Sequence, residues 1–177
     1  ENMAHRGATG CEPDSGDGAG IMVQLPHRFF ERHSRALGIN LPAPGRYAVG
    51  MVFLPQELEP RTACERILED TVRAYGMVVL GWRDVPVDSR HVGPTPRRSE
   101  PRIRQIFVGI GEHFYNPTDF DRRLYLVRQR CENLIEHSPL WPQVQDTIYI
   151  CVLSANRLVY KGMLTALQLR RYFPDLS

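Results

Sequence analysis

Along the chain, short wholly apolar runs alternate with longer segments whose apolar residues recur every three or four positions. Ile21–Leu25 reads as a short strand, and Pro26 suits the first position of a helix running to about Leu37, with Gly38 as its stop. The turn-rich LPAPG at 41–45 leads into YAVGMVFL at Tyr47–Leu54, which is apolar on both alternating faces. Such a strand needs cover on both sides. Arg61–Tyr75 carries Cys64, Ile67, Leu68, Thr71 and Tyr75 as a helical stripe, ended by Gly76, and Met77–Trp82 is apolar again. Val85–Pro101, with four prolines and interspersed arginines, reads as a mobile loop. Ile103–Ile110 returns to strand character. The strongest helical period follows: Thr118 or Asp119 can cap it, and Phe120, Leu124, Val127, Cys131 and Leu134 line one face. After a connection at Pro139–Asp146, TIYICVL at Thr147–Leu153 is a wholly apolar strand. Ser154, Ala155 and Asn156 suit a tight turn into a hairpin partner at Arg157–Lys161, and Thr165–Phe173 is a short helix. Strands without a solvated face beside amphipathic helices predict an α+β sandwich of two sheets with helices outside; a doubly wound sheet is the alternative.

Length and composition narrow the class. The 177 residues suit one domain or a large part of one, 42% hydrophobic content supports a core, and no apolar run reaches the length of a membrane span. The formal charge is only +2 and arginines alternate with acids, so neither nucleic acid nor membrane is an expected partner. Cys11, Cys64, Cys131 and Cys151 are widely spaced without a C-x-x-C pair, which argues against structural zinc. Three of them lie in apolar patterns, as buried reduced cysteines do, which fits a cytoplasmic setting.

The run HRGATGCEPDSGDGAG at His5–Gly20 resembles the loop beside the nucleophile in the glutamine-amidotransferase domain of glutamate synthase large subunits. Further segments resemble the same family in the same order: YAVGMVFLP at Tyr47–Pro55, GWRDVP at Gly81–Pro86, PRIRQIFV at Pro101–Val108, RRLYLVRQRCE at Arg122–Glu132 and YICVLSANRLVYKGML at Tyr149–Leu164. The resemblance implies a four-layer αββα sandwich of the N-terminal-nucleophile hydrolase type, of which residues 1–177 form an interior part, incomplete at both ends. It also implies glutamine hydrolysis by an N-terminal cysteine through a glutamyl thioester, with the released ammonia passing to a synthase domain of the same polypeptide for reductive transfer to 2-oxoglutarate. FMN and an iron–sulfur cluster are expected in that parent protein, with no cofactor or metal in this chain, and a small reductase subunit is a possible partner. The electron donor, NADPH, NADH or ferredoxin, would be chosen elsewhere.

By that resemblance the nucleophile lies upstream of His5 and the glutamine-gripping groups lie downstream of Leu164, so no residue here is assigned as catalytic and the isolated piece is expected to be inactive. Arg6 is the leading support residue, since a fixed guanidinium can hold the carboxylate or carbonyl groups that shape such a site; tying a helix end to the next loop is the alternative role. Gly7 and Gly10 read as backbone turns, and Gly16, Gly18 and Gly20 as close backbone packing beside the reaction centre. Asp17 can orient neighbouring amides or close an Asx turn. GDGAG lacks the Lys and Ser or Thr of a phosphate-binding loop. Cys11 has no base near it, and His5, Trp82 and Lys161 read as structural. A non-catalytic amidotransferase-like subunit that binds a partner enzyme, and an amidohydrolase sharing only the fold, are the competing readings.

Overall fold

A computed structural model describes residues 16, 18–112 and 117–177, which fall into two compact units. The larger comprises Val23–Asp84 and Pro101–Leu158. Its sheet contains β2 (Tyr47–Leu54), β3 (Val78–Asp84), β4 (Arg102–Gly109) and β5 (Tyr149–Ser154) in the order β3-β4-β2-β5; β1 (Ala19–Gln24) belongs to another sheet. All pairings in the four-stranded sheet are antiparallel, with Tyr47 opposite Gly109 and Leu54 opposite Arg102 across its centre. That excludes a doubly wound parallel sheet and bears out the α+β class.

Strand β2 is buried along both faces because each face meets a different layer. Ala48, Val52 and Leu54 join Ile106 and Val108 in one core with Leu68 and Val72 of α2 (Leu58–Ala74) and Leu124 and Val127 of α4 (Pro117–Glu136). Alternation turns Tyr47, Val49 and Met51 to the other face, also fully buried. There Phe30 of α1 (His27–Arg35) meets Phe107 edge-on, with ring centres 5.3 Å apart. A Cβ at Gly50 would stand 2.7 Å from Ile106 Cγ2 and 3.0 Å from Leu153 Cδ1, so only glycine lets the side chains of both neighbouring strands close over β2 at that point.

Helix α2 starts about a turn before the predicted Arg61. It ends as expected at Gly76 (φ +77°), where the Gly76 and Met77 amides turn back to the Arg73 and Val72 carbonyls. Helix α4 starts at Pro117, so Thr118 and Asp119 lie in its first turn instead of capping it; proline is favoured there because the first helical N–H has no partner to lose. Its buried stripe runs through Phe120, Leu124, Val127 and Cys131 to Ile135, not Leu134. Pro26 precedes α1 instead of opening it. A four-residue helix, α5 (Trp141–Val144), occupies part of the segment read as a plain connection.

The predicted hairpin at 147–161 does not form. Strand β6 (Arg157–Gly162) pairs with β1, while β5 stays in the four-stranded sheet. Ser154 Oγ accepts from the Asn156 and Arg157 amides at 3.1 and 3.3 Å, and this hydroxyl-closed turn carries the chain from one sheet to the other. The β1–β6 ribbon is antiparallel, since Leu25 bonds to Asn156 O and Gly20 lies against Lys161.

Among the described residues, the smaller unit draws together 16 and 18–22, Val85–Glu100 and Val159–Ser177. The proline-rich segment 85–100, read as a loop, contains a 3₁₀ turn at Ser89–His91 and the short α3 (Pro94–Arg98). Helix α6 (Ala166–Tyr172) agrees with the predicted Thr165–Phe173, Thr165 being its N-cap. Tyr160, Tyr172 and Phe173 stack edge-to-face below it, with centres 5.1 and 4.7 Å apart.

Candidate functional site

Of the site residues expected from sequence, Arg6, Gly7 and Asp17 lie outside the described residues, as do His5, Gly10 and Cys11. Gly16, Gly18 and Gly20 are described, and each runs close to another stretch of backbone. A Cβ on Gly16 would fall 2.4 Å from the carbonyl carbon and oxygen of Leu164 and 2.5 Å from the Thr165 nitrogen. Backbone atoms cannot yield as a side-chain tip can, so position 16 admits glycine alone. Gly18 adopts φ +142°, open to few side chains, with Gly162 O at 3.8 Å from its would-be Cβ. The glycines of GDGAG therefore press a backbone strand against β6 and the start of α6.

The peptide under Gly16 is held by a reciprocal cap. Thr165 Oγ1 accepts from the Gln168 amide at 3.3 Å, and the Thr165 amide donates to Gln168 Oε1 at 2.8 Å. Gln168 Nε2 donates to His91 O at 2.8 Å, which ties α6 to the proline-rich segment. That segment has further ties. The Asp88 amide donates to Tyr172 O at 2.8 Å, the Tyr172 hydroxyl donates to Glu100 Oε1 at 2.7 Å, and Ser89 Oγ donates to the same carboxylate at 2.6 and 2.8 Å. Burial, with the hydrogen bond and charge of Glu100, pushes the Tyr172 hydroxyl far above its ordinary pKa, so it remains a donor at all working pH values. Sequence reasoning passed over Gln168, Tyr172, Glu100 and Ser89. The T-x-x-Q spacing at 165–168 was a readable cap signal. The other ties join residues too far apart in sequence for any local pattern.

The larger unit gives partners to Trp82, read as structural, and to several side chains that carried no reading. Trp82 Nε1 donates to Glu69 Oε1 at 2.9 Å, and the Arg104 guanidinium lies 5.3 Å from a Trp82 ring centre while pairing with Glu65 at 2.5 Å and Asp84 at 2.8 Å. His27 Nδ1 lies 3.0 Å from the Tyr47 hydroxyl, whose pKa burial and the charge of Glu31 push up to about 12. Arg83, read only as part of GWRDVP, is buried: it donates to Gln105 Oε1 at 2.8 Å and covers the Phe29 ring at 5.3 Å. Cys64 and Cys131 are buried free thiols raised to about 11, mainly by desolvation, hence poor nucleophiles. Cys151 is also buried and forms no disulfide among the described residues. Among the described residues no group of three or more His, Cys, Asp or Glu side chains could hold a metal ion, and no helix is long and apolar enough to cross a membrane.

Comparison with known proteins identifies the domain to which this glycine-packed segment belongs. The chain belongs to the class-II glutamine amidotransferases, whose family model matches residues 1–177. It is similar to the glutamate synthase [NADPH] large chain of Bacillus subtilis, 39% identical over 176 residues, covering 99% of this chain and 11% of that protein. The Azospirillum brasilense glutamate synthase [NADPH] large chain is 39% identical over 173 residues, with 97% and 11% covered. Ferredoxin-dependent glutamate synthase 2 of Synechocystis is 36% identical over 175 residues, with 99% and 11% covered. The chain thus spans about a tenth of the length of these curated relatives.

Proposed function

We propose that the chain is the amidotransferase section of a glutamate synthase and shapes the site where glutamine is hydrolysed to glutamate and ammonia. The observation that carries this reading is the family match along the whole chain, and the backbone-to-backbone packing of Gly16 supports it. The thiol of an N-terminal cysteine, outside these residues, adds to the carboxamide carbon. The C–N bond breaks, ammonia departs with a proton, and water then cleaves the thioester to glutamate and the free thiol. Arg6, Gly7, Asp17 and Gly18 support this site: Arg6 as a fixed cation beside the reacting groups, Asp17 as an orienter of backbone amides, and the glycines as the close wall.

The ammonia is used by a synthase domain of the same polypeptide, in the cytoplasm, to aminate 2-oxoglutarate. FMN and an iron–sulfur cluster belong to that parent; the buried, separate Cys64, Cys131 and Cys151 do not fit a cluster. The electron donor is chosen outside these residues, because relatives named for NADPH, NADH and ferredoxin match nearly the whole chain at 35–39% identity. The complete domain is a four-layer αββα sandwich, with β1 and β6 as part of its second sheet. A two-stranded ribbon is marginal alone, and the successive residues Ile21 and Met22, on opposite faces of β1, are 42% and 60% exposed.

Glutaminase assay of the full-length gene product tests the reading. Replacing the N-terminal cysteine should abolish ammonia release, and Arg6→Ala should lower kcat/KM by roughly 100-fold. Hydrolysis that survives loss of the cysteine would refute the mechanism.

A further inference from the structure

Among the described residues, the Gln168 side chain makes two hydrogen bonds where a helix cap needs one. Its Oε1 closes the cap on the Thr165 amide at 2.8 Å, a task a glutamate performs equally well. Its Nε2 also donates to the His91 carbonyl, 77 residues earlier, at 2.8 Å, which a carboxylate cannot do. The side chain is buried at 8% exposure, and the cap amide it holds is the Thr165 nitrogen that lies 2.5 Å from a would-be Cβ on Gly16. One amide therefore fixes the peptide on which the glycine loop rests and ties it to the segment strapped by Tyr172, Glu100 and Ser89.

Resting on the amidotransferase reading above, we propose that Gln168 is a positioning residue for glutamine hydrolysis. By joining the His91 carbonyl to the α6 cap, it sets where the Gly16 backbone stands beside the reaction centre. It touches no reacting atom and acts through the Leu164–Thr165 peptide. A displacement of that backbone by a fraction of an ångström misaligns bound glutamine without unfolding the core.

Steady-state glutaminase kinetics of the full-length protein test this. In Q168E the cap acceptor survives and the donor is lost, so KM for glutamine should rise roughly tenfold while the fold is kept. The defect should shrink as the pH is lowered, because a protonated carboxyl donates to His91 again. Gly16→Ala, which pushes the same peptide from the opposite side, should raise KM likewise. Leu167→Ala, on the same helix but 81% exposed, should leave KM unchanged. An unmoved KM in folded Q168E and Gly16→Ala, beside an active wild type, overturns the inference alone. So does a loss of activity that only tracks loss of folded protein. A wild type without glutaminase activity sinks the functional reading and the inference with it.

Discussion

The two units are stabilised by different means. In the larger, Ala48, Val52, Leu68, Leu124 and Val127 are all at most 2% exposed, and an antiparallel sheet meets amphipathic helices through apolar contact. In the smaller, three segments distant in sequence meet through two directional bonds, the Gln168 amide on the His91 carbonyl and a tyrosine hydroxyl on a carboxylate, and through glycine packed backbone on backbone. Apolar contact is non-directional and tolerates small shifts, whereas hydrogen bonds and backbone contacts fix positions to fractions of an ångström. Stability thus resides chiefly in the larger unit, and precision in the one that carries the glycine loop.

The largest test of this contrast is Leu124→Ala in the larger unit, which should cost about 2–5 kcal/mol and lower the urea midpoint strongly. A loss below about 1 kcal/mol would mean that packing does not dominate there. Next, Tyr172→Phe removes the hydroxyl donated to Glu100 and should cost about 1.5–3 kcal/mol, read as faster hydrogen exchange at the Asp88 and Arg97 amides. Unchanged protection would remove the strap from the account.

Asp84 gives a smaller, pH-dependent effect. Burial alone would raise its carboxyl, but the hydrogen bond from Arg102 and the charges of Arg104 and Arg102 outweigh burial and hold it below the usual carboxylate range. Its contribution is therefore present above the unfolded pKa of about 3.9 and is lost as pH falls through the lower folded value. Solvent screening of this half-exposed group keeps that contribution under about 1 kcal/mol. Asp84→Asn should flatten the acid limb of a plot of urea midpoint against pH; an unaltered limb would discount the pair. Smallest of all, Arg35→Ala breaks an exposed bridge to Glu31 and should leave the midpoint unchanged.

How far each unit was legible in sequence follows from the same contrast. YAVGMVFL and the 120-124-127-131 stripe showed their elements directly, because burial imposes a period that a local window contains. The hairpin failed because Ser154 and Asn156 encode a turn without encoding which strand lies beyond it. The segment 85–100 read as a loop because its order comes from Tyr172 and Gln168, far along the chain. At the glycine loop, composition pointed to close packing, and the Leu164–Thr165 peptide supplies the surface that no pattern could name.

The wide separation of the smaller unit's segments also orders events during synthesis. Gly16 is made long before Thr165, whose addition completes the peptide it rests against, and the segment around His91 waits for Gln168. The larger unit can close its sheet once β5 has emerged, whereas the packing of Gly16 on the Leu164–Thr165 peptide is highly non-local and hence late. A nascent chain stalled before Leu164 should accordingly protect the sheet from protease while leaving the Gly16–Gly20 region open to cleavage. On the amidotransferase function proposed above, competence to hydrolyse glutamine is thereby deferred until the supporting architecture is complete.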